Sequence, residues 1–142
     1  MQHSATIVSR TNFFRAAIPT NGIYDLVSFT YSDAPQGEIS WAERTQPRLG
    51  GPLWAQRSRY IDNSPLHGAD RIQTPLLILQ GGDDWLRPQA ESFYVALQRL
   101  DKPAQLAIYE GCGHRIAAWP LKQAVAGTER ILRFLDKHLG PN

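Results

Sequence analysis

Leu76-Leu77-Ile78-Leu79 is the densest apolar run in the chain, and it limits the folds open to the rest. With Gln80 it has the length of a strand, and it is broken at once by Gly81-Gly82-Asp83-Asp84. It lacks the apolar/polar alternation of a strand with one wet face. A continuously apolar strand is buried on both sides, which in globular chains implies a parallel sheet with helices on either face.

The residues that follow supply those helices. Pro88 suits the first turn of a helix, and Ala90, Phe93, Tyr94, Leu97 and Leu100 recur at spacings of three and four, predicting one apolar face. Asp101-Lys102-Pro103 stops that helix, and Ala104 to Tyr109 reads as a second strand. Glu110-Gly111-Cys112-Gly113-His114 is the loop after it. Leu121, Val125, Thr128, Leu132, Leu135 and Leu139 then mark a long closing helix, ended by Gly140-Pro141. Strand, helix, strand, helix with short connections predicts an α/β fold: three layers, with a mostly parallel sheet flanked by helices. Upstream the pattern is weaker. Residues 2–10 suit the end of a helix, Phe14 to Ile18 a short strand closed by Pro19, and Asn21-Gly22 a turn. Helical pieces are expected near 24–30 and 53–60, with loops at Asp33 to Gly37 and Gly50-Gly51-Pro52.

Composition narrows the function. Fifteen Lys plus Arg against thirteen Asp plus Glu leave a charge of +2, so nothing draws the chain to nucleic acid or to an anionic membrane. No apolar run approaches the ~18–20 residues of a membrane span, and the first residues lack the apolar core of a secretory leader. The expected compartment is the cytoplasm. Cys112 is the single cysteine, which excludes an intramolecular disulfide and an all-cysteine metal site.

In open α/β sheets, sites form outside the carboxyl ends of the strands. Asp84 follows the first clear strand and His114 the second, so neighbouring strands would bring both side chains to one rim. A carboxylate that orients an imidazole and stabilises its protonated form is the acid–base half of a Ser-His-Asp triad. Asp84 also suits a helix cap or a Gly-Asp turn, and His114 alone a surface histidine. Glycines at 81, 82, 111 and 113 would permit the tight turns needed.

At these residues the chain resembles the prolyl oligopeptidase family of serine peptidases, which have an α/β-hydrolase fold. Leu76 to Asp84 is similar to the family's strand and acid loop, and Tyr109 to His114 to its histidine loop. Phe13-Phe14-Arg15-Ala16-Ala17, the surroundings of Trp54, and Tyr60 to Leu66 are similar to stretches between nucleophile and acid. Counting Gly81 as the family glycine puts the acid at Asp84, not at Asp83. The resemblance implies catalytic roles for Asp84 and His114 and hydrolysis of a peptide bond, or another acyl bond, in a small substrate, with no metal or organic cofactor needed. An esterase or acyl hydrolase of the same fold, and a non-catalytic α/β binding module, are the alternatives. Trp41, Trp54, Trp85 and Trp119 are candidates to line a substrate pocket. Trp85 and Trp119 lead because each follows a catalytic loop, and Arg87 is a further substrate-binding candidate.

Two departures from the family pattern stand out. No Gly-x-Ser-x-Gly occurs in the 142 residues, so the elbow that exposes a nucleophilic serine is expected a few residues before Met1. The chain then reads as the C-terminal half of an α/β-hydrolase domain, with Ser4 inside the nucleophile helix. A missing N-terminal half, or self-association of the exposed edge into a homo-oligomer, is the expected consequence. In addition, Leu86 stands where family members often carry Arg or Asn, and Gln80 where they carry His. Cys112 is placed to react or to pack, and His3, His67 and His138 read as surface groups.

Overall fold

A computed structural model describes residues 3–30, 43 and 48–140. Its centre is the predicted strand β1, Leu76–Gly81, buried along its whole length. It pairs in parallel with β2, Ala104–Tyr109, from Leu76 opposite Ala104 to Gly81 opposite Tyr109.

A third segment lies on the other side of β1. Ala17 and Thr20 form parallel bridges to Leu76 and Leu79, and Asn21 N–H donates to Leu79 O at 3.0 Å. The expected strand ending before Pro19 is therefore displaced toward the C-terminus. Pro19 sits inside the pairing, and its carbonyl accepts from Leu79 N–H at 3.0 Å. Because proline has no N–H to donate, the pairing there is a pair of bridges and not a regular ladder.

Side chains of β1 alternate between two cores. Leu76 and Ile78 pack with Tyr24, Ile72, Ala90, Phe93 and Leu97. Leu77 and Leu79 pack with Ala107 and Phe134. The first core lies under the short helix α1, His3–Val8, a 3₁₀ segment, Pro65–Arg71, and a helix after the acid loop. Two short helices, α2 (Leu26–Thr30) and α3 (Arg57–Asp62), form a satellite core around Phe29, Leu49, Tyr60 and Leu86. Helix α2 starts where Asp25 caps it, its carboxylate accepting from Val27 and Ser28 N–H at 3.0 and 3.2 Å. The expected loop at 33–37, Trp41 and the side chain of His3 lie outside the described residues.

The helix after the acid loop, α4, spans Arg87–Arg99 and opens with Pro88 in its first turn. Ala90, Phe93 and Leu97 are buried as predicted, and the Phe93 ring stacks on Tyr24 with centroids 4.6 Å apart. Leu100 departs from the predicted face and is exposed. It sits past the helix end, where Asp101 turns left-handed at φ 52° and Lys102 N–H closes on Leu97 O at 2.9 Å.

The closing helix α5, Leu121–Leu139, covers the opposite sheet face, completing three layers. The helix is where the sequence marks it, but several of the apolar residues that mark it face outward. Leu121 and Leu132 are 79% and 56% exposed, and Val125 and Leu139 are exposed with them. The inward stripe is Gly127, Ile131 and Phe134, with Gly127 facing Trp119 and Tyr109. A small residue lets the helix approach the loop before it, while Phe134 fills the space over β1.

The neighbouring pair Phe134 and Leu132 tests this rotation. Phe134→Ala is expected to cost about 3–5 kcal/mol in chemical unfolding. Leu132→Ala is expected to cost less than about 0.5 kcal/mol. Equal losses would contradict the orientation of α5.

Candidate functional site

Parallel pairing of β1 and β2 sends both following loops off the same end of the sheet, and backbone contacts then hold the loops together. Gly82 N–H donates to Tyr109 O at 2.8 Å, and Asp83 N–H to Cys112 O at 3.0 Å. Gly81 has to be glycine at this approach. A Cβ there would fall on the carbonyl of Cys112 and lie 2.6 Å from that of Gly113. Gly111, at φ 73°, supplies the left-handed turn that brings the chain back.

Asp84 and His114, thirty residues apart, meet across this junction. The Nδ1 of His114 lies 3.0 Å from Oδ2 of Asp84. The Asp84 side chain is fully buried, whereas that of His114 is half exposed, at 50%. Asp84 Oδ2 also accepts from Gln80 Nε2 at 3.0 Å, and its Oδ1 from Leu86 N–H at 3.1 Å. Gln80, noted in the sequence only as a departure, is thus a buried donor aimed at the carboxylate. A carboxylate presents only lone pairs, so this contact assigns the hydrogen to His114 Nδ1 and leaves the Nε2 lone pair free to act as a base.

Asn21 also belongs to this junction. Its Oδ1 accepts from Gly81 N–H at 2.8 Å, and its Nδ2 donates to His114 O at 2.6 Å, with Gly113 O at 3.4 Å. The sequence marked Asn21 only as a turn residue. Its φ of 44° is the left-handed geometry that asparagine tolerates, and the Asn21-Gly22 turn pair was the available signal.

The other expected residues divide. Trp119 is buried and packs on Tyr109 with centroids 5.1 Å apart. Its indole N–H donates to Gly113 O at 2.8 Å, so it braces the histidine loop from below. Arg87 is occupied by ion pairs. Its Nε donates to Glu91 at 2.8 Å and its Nη1 to Glu110 at 3.2 Å, linking α4 to the histidine loop. The bond to Glu91, with the charge of Glu110, holds the Arg87 guanidinium above its ordinary pKa. Trp85 leans on Phe29, with centroids 5.5 Å apart, and lines a groove with Asp25, Ser28, Leu66 and Gln89. Neither Asp84 nor His114 lines that groove. Trp54 is largely exposed. His67 pairs with Asp25 at 3.4 Å, and His138 rests against the Phe134 ring. Ser4 sits on α1 in an apolar groove with Ile7, Phe14, Ala16 and Ile18. Among the described residues, no three His, Cys, Asp or Glu side chains gather as a metal site, and no helix is long and apolar enough to cross a membrane.

Comparison with known proteins shows the family and the fold. A family model described as the prolyl oligopeptidase family matches residues 2–142. The chain belongs to that family.

The uncharacterized peptidase YuxL of Bacillus subtilis (strain 168) is 30% identical over 137 residues, which cover 94% of this chain and 20% of that protein. A puromycin-hydrolyzing peptidase from Mycobacterium tuberculosis superposes with a TM-score of 0.84 at 31% identity, over 95% of this chain and 20% of that one. A puromycin hydrolase superposes at 0.87 with 23% identity, over 99% of this chain and 21% of its own, a likeness of fold. The chain thus spans about a fifth of the length of these prolyl oligopeptidase relatives, and its α/β fold is that of their hydrolase domain.

In this family member Cys112, two residues before His114, is a packed residue. Its side chain is buried, and desolvation, with the nearby charge of Asp83, pushes the thiol above its ordinary pKa. Access and thiolate content are both low. At pH 7.5 an aromatic disulfide reagent is expected to label Cys112 only after unfolding in denaturant. Labelling of the folded chain at the rate of a free thiol would contradict its placement.

Proposed function

We propose that this chain carries the acid and the general base of a serine peptidase. Asp84 is the acid and His114 the base, and the serine lies upstream of residues 1–142. The observation that carries the reading is the 3.0 Å contact between the buried Asp84 carboxylate and Nδ1 of the half-exposed His114. Membership of the prolyl oligopeptidase family supports it. Relatives described as peptidases favour a peptide bond over an ester as the bond cleaved.

The chemistry follows from which nitrogen is free. The serine hydroxyl adds to the substrate carbonyl as its proton passes to His114 Nε2. The imidazolium then gives that proton to the leaving amine, and a water molecule repeats the sequence to release the acyl group. Asp84 stays ionised throughout, holding Nδ1–H and stabilising the transient positive charge. Short peptides are the proposed substrates. Arg87 and Trp119, engaged by Glu91, Glu110 and Gly113, act here by holding the loops. Trp85 is the remaining candidate for substrate contact.

A fluorophosphonate probe separates the outcomes. The complete reading frame is expected to be labelled on a serine outside these 142 residues, and His114→Ala to lower turnover by at least about 10³-fold. The 142-residue chain alone is expected to remain unlabelled. Labelling of that chain dependent on both Ser4 and His114, or full turnover by the His114→Ala enzyme, would overturn the assignment.

A further inference from the structure

We propose that Asn21 is a positioning residue for His114, acting as a double-ended clip between the acid strand and the histidine loop. The inference rests on the catalytic reading of the Asp84–His114 pair and goes beyond it to the residue that sets its geometry. The imidazole is held by its backbone as well as by Asp84. The carbonyl of His114 itself accepts from Asn21 Nδ2 at 2.6 Å, while the other end of the same amide takes Gly81 N–H at 2.8 Å. Gly81 is the last residue of β1, three positions before Asp84. One planar amide therefore sets the distance between the end of the acid strand and the backbone of the histidine.

The orientation of this amide is not interchangeable. Gly81 N–H is a donor and His114 O an acceptor, so rotating the amide by half a turn would set donor against donor and acceptor against acceptor. Asn21 is itself fixed. It is buried, its N–H is bonded to Leu79 O at 3.0 Å, and its backbone has φ 44°. Few residue types tolerate that backbone geometry, and among them asparagine offers a donor and an acceptor together. The remaining ties to the histidine loop end before His114. Asp83 N–H reaches Cys112, and Trp119 reaches Gly113. Only the clip and Asp84 hold the histidine residue itself among the described contacts.

Two substitutions dissect the clip without opposing the backbone. Asn21→Asp keeps the left-handed preference and the acceptor for Gly81, but turns an oxygen toward the carbonyls of Gly113 and His114. Asn21→Gly keeps the backbone and removes both ends. The readout is the tautomer of His114 in the ¹⁵N-labelled 142-residue chain, from its ring nitrogen shifts, alongside steady-state kinetics in the complete reading frame. The parent is expected to hold His114 with hydrogen on Nδ1. Both variants are expected to remain folded but to populate the two tautomers mixed, with kcat down about 10- to 100-fold and KM changed by less than about twofold. A purely structural role would lower the melting temperature and leave the tautomer as in the parent, and that result overturns the proposal. Failure of both variants to fold also overturns it, by making Asn21 a determinant of the fold. Should the parent itself carry hydrogen on Nε2, the catalytic reading falls and the clip with it. A parent as described with unaltered variants removes the clip alone.

Discussion

A single buried carboxylate organises this molecule. Asp84 is fully enclosed at the end of a strand buried on both faces, and it faces three donors: Gln80 Nε2, Leu86 N–H and the imidazole of His114. A charge in such a place is tolerated only when its lone pairs are met. The architecture around it provides those partners. β1 delivers Gln80 and the turn after it Asp84, α4 begins with Leu86 as its cap, and β2 returns the chain so that His114 arrives from the side. Parallel pairing matters here, because it sends the two loops off the same edge.

The histidine loop is attached to that edge as a unit. Backbone bonds from Gly82 and Asp83, the Trp119 indole, the Arg87–Glu110 pair and the Asn21 amide all bear on residues 109–114. Most of them tie backbone to backbone or to a buried side chain, which leaves the imidazole itself half exposed. A base restrained at one nitrogen and open at the other is suited to taking a proton from a group presented from outside.

Much of this was legible in the residues. The apolar run of β1, the helix after Pro88 and the strand–loop ending at His114 carry strong local signals, because each is set by burial on both faces or by a stop at Gly or Pro. The juxtaposition of Asp84 and His114 was expected on condition that the two strands are neighbours, and they are. The misread parts share a cause: the deciding contact is not local. Spacing marks α5 as a helix but does not say which of its apolar residues face inward. The sheet and Trp119 select Gly127, Ile131 and Phe134. Pro19 looked like a strand terminus, yet its carbonyl is a partner of Leu79. Asn21 is joined to His114 across ninety-three positions, and Gln80 looked like a simple departure from a family histidine. Trp119 was legible as an aromatic next to the site, but its indole N–H faces inward.

The most direct test of the proposed role is a crystal structure of the product of the complete reading frame after treatment with a fluorophosphonate. The account predicts His114 Nε2 within about 3 Å of the modified serine oxygen, with Nδ1 still bonded to Asp84 and Gln80 still donating to that carboxylate. A modified serine whose nearest imidazole belongs to another residue, or a His114 ring turned so that Nδ1 no longer faces Asp84, would contradict it.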